Sequence, residues 1–190
     1  MKNTNLTAFI AGPSKNGKKN LYTFGHITEA DYPKYIHSIA QFLNNNFDAI
    51  GVLPDIGVTL DVAKALYDIP GRTTKIFGYY PKYGNTPTIT GNLSICDEAV
   101  EINGGWAEMN TKPSKDFDVM LCLGLSAGVF TEIAHTKIHR LWSNKTVYVL
   151  VDERVVSSHL NAELESDVTV MYFNSDETLL ECINKIKEEK

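Results

Sequence analysis

The chain has 190 residues, enough for one domain with a sizeable core. Hydrophobic residues make up 43% and charged residues 22%, an ordinary balance for a globular chain in water. The formal net charge of -5 argues against a general electrostatic grip on nucleic acid, although a local basic stretch, KNGKK at 15–19, remains.

No apolar run approaches the roughly 20 residues of a membrane span, so no membrane partner is expected. Cys96, Cys122 and Cys182 form no CxxC and no metal-ligand spacing, so neither a metal nor a cofactor is expected. Their odd number and the lack of a signal peptide predict a cytoplasmic protein.

In chain order, LTAFIAG (6–12) reads as a buried strand that stops at Gly12-Pro13. Residues 13–30 read as a polar loop. DYPKYIHSIAQFLNNN then has helical spacing at Tyr35, Ile36, Ile39, Ala40 and Leu43, with Asp31 placed to cap it and Pro33 in its first turn. A strand follows at 48–53, a helix at about 58–67 and a strand at 75–80. Residues 81–116 are rich in Gly, Pro, Asn and Thr. They suggest only a strand or short helix at 94–102 and a helix at 106–112. DVMLCL (118–123), TVYVLV (146–151) and VTVMYF (168–173) read as strands, with helices at 129–142 and 176–188. Apolar runs alternating with amphipathic helices predict an α/β fold, a mostly parallel sheet covered on both faces. Ligands of such sheets gather at the carboxyl ends of strands.

Three strand-end loops therefore matter. GPSKNGKK (12–19) nearly matches a phosphate-binding P-loop, and VYVLVDE, which carries Asp152, could supply its partner strand. Lys19 stands where a magnesium-binding hydroxyl belongs, and NLYTFGHIT beyond it shows no helical spacing. An exposed basic loop is the simpler reading, with Ser14 or Lys15 touching a ligand as an intermediate one. In LPDIGVTLDVAKAL, Gly57 permits close backbone approach, while Asp55 either caps the helix or binds a ribose hydroxyl. In GLSAGVFTEIAHTK (124–137), Ser126, Ala127 and Gly128 offer backbone N–H groups where a helix dipole favours an anion, and Gly124 keeps the turn free of bulk. Val129, Phe130, Ile133, Ala134, Ile138 and Leu141 read as the buried stripe of that helix. Glu132, His135, Thr136 and His139 fall on another side, with Glu132 either facing a ligand or serving as an early-helix acid. His135 and His139 are spaced as a metal pair without an evident third ligand and read as solvated.

GLSAGVFTE resembles the PGGxGTxxE hallmark of the LOG-like, or lysine-decarboxylase-like, Rossmann family, which includes phosphoribohydrolases and molybdenum-cofactor carrier proteins. Gly128 and Glu132 match, and Val129 replaces the threonine. FIAGPS (9–14) is similar to the family's first strand and turn, and DIGVTLDVAKA to its second loop, with Gly57, Val62, Ala63 and Lys64 in register. GNTPTITGNLSI weakly resembles the carriers' Asn-rich loop. The resemblance covers about residues 6–152. It departs at Pro54 and Asp55, which replace glycines, and at Met109 and Asn110, which stand where the hydrolases carry an arginine. Lys112 and Lys115 are the candidate substitutes, and Arg72 is the only arginine before position 140. FIAGP and the glutamate before IAHTK are also similar to nucleoside 2-deoxyribosyltransferases.

These resemblances imply a Rossmann-like three-layer sandwich over residues 1–190, acting as one nucleotide-binding domain. They imply a nucleotide or nucleoside phosphate bound by Gly12, Pro13, Ser14, Asp55, Gly57, Gly124, Ser126, Ala127, Gly128 and Val129. Glu132 would be the carboxylate of an N-glycosidic hydrolase, and the chain a homodimer. A non-catalytic nucleotide or cofactor carrier or sensor, a deoxyribosyltransferase-like enzyme, and an α/β module without a small ligand are the alternatives.

Overall fold

All six apolar runs above become strands. The computed structural model describes residues 6–14 and 17–190, with backbone alone for Asn20 and Phe24. Lys15, the loop lysine considered for ligand contact, lies outside the described residues. The strands are β1 (Thr7–Ala11), β2 (Ala49–Val52), β3 (Lys75–Pro81), β4 (Glu98–Ile102), β5 (Val119–Cys122), β6 (Tyr148–Asp152) and β7 (Val170–Phe173). They form one sheet in the order β4-β3-β2-β1-β5-β6-β7, and every neighbouring pair is parallel. The helices are α1 (Lys18–Phe24), α2 (Tyr32–Asn46), α3 (Val58–Tyr67), α4 (Pro87–Asn92), α5 (Trp106–Met109), α6 (Ala127–Ser143), α7 (Ala162–Asp167) and α8 (Asp176–Glu189). This is the Rossmann-like three-layer arrangement.

The strand order reverses between β1 and β5, neighbours in space but far apart in the chain. Asp118 fastens the start of this pair: its carboxylate accepts the Thr7 N–H at 2.9 Å and the Thr7 hydroxyl at 3.0 Å. Burial of the carboxyl is outweighed by those bonds and by Lys190, so its pKa falls below the usual range. Beside the seam, Phe117 packs 5.8 Å from Phe9 and 5.8 Å from Tyr79, ring centre to ring centre. Gly51 makes room for this ring, since a Cβ there would lie 2.2 Å from Phe117 Cζ.

Three local expectations need correction. Residues 18–24, read as loop, form α1. It is one short helix in which Leu21 is buried, too brief for a periodic signal. The stretch at 94–102 holds both a 3₁₀ turn (Leu93–Ile95) and β4. Asp31 does stand at the amino-terminal end of α2, yet its carboxylate makes no cap bond and accepts the Thr28 hydroxyl at 2.6 Å.

The largest correction concerns α6. Its buried residues are Val129, Glu132, Ile133, Thr136 and His139, whereas Phe130, Ala134, Ile138 and Leu141 are exposed. Two of the three buried polar members find partners: the Thr136 hydroxyl donates to Ile133 O at 2.7 Å, and His139 Nε2 lies 3.0 Å from Ser114 Oγ. Burial, with the neighbouring positive groups, holds the His139 ring below its usual pKa.

Candidate functional site

The α6 helix starts where β5 ends. Ser126 is its N-cap, and the Ser126 hydroxyl accepts the Val129 N–H at 3.3 Å. Ala127 and Gly128 occupy the first two helical positions, where N–H groups have no intrahelical acceptor. Both border a cavity of about 330 Å³ at the carboxyl ends of β1, β2 and β5, the size range of small-molecule sites. Such a crevice at the point of strand-order reversal is where parallel α/β sheets bind ligands.

Gly12, Ser14, Asp55, Ser126, Ala127, Gly128, Val129 and Glu132 all line this cavity. Pro13, Gly57 and Gly124 stand behind the lining and shape it. Gly57 meets the first loop directly: Val58 N–H donates to Pro13 O at 3.1 Å, and a Cβ on Gly57 would come within 2.6 Å of that oxygen. Gly124 has φ +120°, and a Cβ there would lie 2.4 Å from Leu21 Cδ2 and 2.9 Å from Pro13 Cδ. These glycines let three strand-end loops close on one another. Asp55 does not cap α3. Its Oδ1 accepts the Ile56 N–H at 2.8 Å, and the carboxylate borders the cavity.

Glu132 is the decisive side chain. It sits beyond the first turn of α6, is only 8% exposed, and its Oε2 is fully buried with no hydrogen-bond partner. Desolvation pushes its pKa up to about 8, so the neutral acid prevails at pH 7. An acid placed only to complement the helix dipole would be solvated and ionised. This one is a buried proton donor aimed at a cavity.

Several lining residues carried no signal in the sequence. Trp106, at the start of α5, reaches the cavity, as do Ile56 and Thr59, and Asn110, which the family resemblance singles out, reaches it from the residue just past the end of that helix. A Cβ on Gly128 would stand 3.8 Å from Asn110 Nδ2, so Asn110 borders the start of α6. Lys112 and Lys115 do not line the cavity: Lys112 Nζ donates to Asn103 O at 3.2 Å. Arg72 forks onto Asp97 at 2.7 and 3.0 Å, joining the segments before β3 and β4.

The first loop lacks the geometry of a P-loop. A helix does follow Gly17, yet Lys18 turns away from the cavity. Its ammonium pairs with Asp61 at 2.6 Å and lies 4.4 Å from the Tyr32 ring centre. Asp152 is fully buried and bound by Arg154 at 2.7 Å and by the Tyr35 hydroxyl at 3.0 Å. Among the described residues no group of three or more His, Cys, Asp or Glu side chains is arranged for a metal. No described helix is long and apolar enough to cross a membrane.

No family model and no curated protein matches the chain. Solved structures do. The structural-genomics protein TM1055 superposes with a TM-score of 0.65 at 13% identity, over 95% of this chain and 99% of that one. The molybdenum cofactor carrier protein of Chlamydomonas reinhardtii gives 0.62 at 13% identity, over 96% and 98%. DNA processing protein A of Helicobacter pylori, described for single-stranded DNA binding, gives 0.55 at 14% identity, over 97% and 81%. At such identities the likeness is one of fold: this chain shares its Rossmann-like architecture, nearly end to end, with the molybdenum cofactor carrier protein.

Proposed function

We propose that residues 1–190 act as one nucleotide-binding domain, with a nucleotide or nucleoside phosphate in the cavity between β1 and β5. Its phosphate would meet the Ala127 and Gly128 N–H groups, and its sugar side would meet Glu132. The single observation that carries this reading is the buried, unpartnered Glu132 carboxyl in a cavity at a helix start. A ligand acceptor would satisfy it. Binding without rapid turnover fits better than N-glycosidic hydrolysis. Stabilising an oxocarbenium-like sugar needs an ionised carboxylate, and desolvation keeps Glu132 protonated at neutral pH. Asn110 also offers a neutral amide beside Gly128, where a hydrolase of the resembled family would use an arginine. A carrier or sensor role follows, as for the cofactor carrier that shares the fold. The net charge of -5 disfavours the DNA binding of the third neighbour.

The test pairs binding with chemistry. Calorimetry with nucleoside monophosphates should show binding that Gly128→Leu abolishes without unfolding the protein. A methyl at 128 meets only side-chain contacts at 3.8 Å and beyond, so a larger group extends toward Asn110 rather than into backbone. Incubation with the same monophosphates should release little or no free base. Rapid base release that vanishes in Glu132→Gln would make the protein the N-glycosidic enzyme instead, and binding unaffected by Gly128→Leu would put the ligand elsewhere.

Self-association into a homodimer belongs to the same proposal. It is supported by the exposed apolar stripe of α6, where Leu141 is 63% and Trp142 85% accessible.

A further inference from the structure

Two large apolar side chains that border the cavity remain exposed: Trp106 at 38% and Ile56 at 43%. They come from different segments, Trp106 from the start of α5 and Ile56 from the loop between β2 and α3. Met109 of α5 is buried and anchors the helix, so Trp106 is not needed for that purpose. The indole is nevertheless held in place. Its Nε1–H donates to Gly84 O at 3.2 Å. Gly84 has φ +82°, in the left-handed region, and a Cβ there would lie 3.2 Å from Nε1 and 3.3 Å from Cδ1. Glycine thus lets the loop after β3 lie along the pyrrole edge of the ring. That loop is itself tied to the one after β4, through Lys82 N–H to Ile102 O at 3.0 Å and Tyr83 N–H to Gly104 O at 3.0 Å. On the α5 side, the Glu108 carboxylate accepts the Gly105 N–H at 2.8 Å and fixes the helix start.

The result is an aromatic side chain oriented from its edge with part of its surface left open. One turn on, Asn110 reaches the phosphate end of the same cavity. A rigid, exposed aromatic surface in a binding cavity recognises flat π-systems, whatever their edge pattern.

We propose that Trp106 is a specificity-determining residue, which with Ile56 seats a planar heteroaromatic ring, so that the cavity selects ring-bearing phosphates over the bare sugar phosphate. This rests on the reading of the cavity as a nucleotide site and adds to it the group that is recognised. The ligand end at Trp106 is flat and weakly polar, and the end at Ala127 and Gly128 is anionic.

The protein has two tryptophans, so Trp142→Phe leaves Trp106 as the only indole and makes its emission a direct report on this cavity. Titration of that variant with adenosine 5′-monophosphate should quench or shift the emission saturably. Ribose 5-phosphate should leave the emission unchanged and bind about tenfold or more weakly, the scale of one base–aromatic contact. Trp106→Ala should lower the affinity for adenosine monophosphate by a similar factor and leave that for ribose 5-phosphate alone. Trp106→Phe should restore most of the loss. Equal affinity for the two probes, or adenosine monophosphate binding unchanged in Trp106→Ala, overturns the inference. If that binding is still abolished by Gly128→Leu, only the role of Trp106 falls. If it is indifferent to both substitutions, the underlying site reading falls with it. Should Trp106→Ala fail to fold, the probe ratio and the emission of the Trp142→Phe protein decide the matter.

Discussion

At the scale of single residues, Glu132 couples the site to the stability of the fold. Its folded pKa, about 8, stands above the ordinary value of 4.5. A carboxyl with a raised folded pKa favours the native state below its unfolded pKa, and that contribution is lost as pH rises toward the folded one. The window is therefore about pH 4.5 to 8. Each unit of separation corresponds to about 1.4 kcal/mol, so the wild-type protein should lose a few kcal/mol of unfolding free energy across it from this group. Glu132→Gln keeps the shape and removes the titration. Urea unfolding at pH 5 and at pH 8.5 should show a markedly smaller pH dependence for the variant, which should be the more stable protein at pH 8.5. Equal slopes for both proteins would mean that water or a shifted backbone solvates the carboxylate. Asp152, also buried, is a contrasting case. Arg154 and Tyr35 surround it with donors, so its burial reads as structural rather than as a vacancy for a ligand.

At the scale of elements, α6 shows what periodicity can and cannot reveal. Ile133→Ala should cost about 2–5 kcal/mol, as large-to-small changes in packed cores do. Leu141→Ala should stay within about 0.5 kcal/mol for the isolated subunit, because the side chain is exposed. Chemical denaturation of the two variants checks the pair, and losses of similar size in both would mean that the stripe read from sequence, which holds both residues, is the packed one. The sequence reads as one stripe of six apolar residues on this helix, yet only Val129 and Ile133 of them are buried, and Phe130, Ala134, Ile138 and Leu141 form a separate exposed row. What decides between them is the partners of Thr136 and His139, which lie far away in the chain or in the backbone. Six strands were legible because buried parallel strands are continuous apolar runs, and the exposed edge strand β4 was not. α1 escaped notice because seven residues make about two turns and leave no period to count. The glycine loops of the cavity were legible from their turn chemistry. Trp106 and Ile56 were not, because membership of a cavity depends on how separate loops meet.

At the scale of the whole molecule, the exposed row on α6 predicts association. Sedimentation velocity should find a dimer, and Ile138→Asp combined with Leu141→Asp should leave a folded monomer. A monomeric wild-type protein would reject the homodimer. The seam between β1 and β5 has another consequence. Thr7 and Asp118 are bonded to each other across 111 positions of chain, whereas β1 to β4 and β5 to β7 each assemble from near neighbours. Closing so long a loop is entropically costly and tends to come late in folding. Because the cavity spans this seam, neither half holds it alone, and a growing chain lacks the cavity until β5 and the start of α6 have left the ribosome.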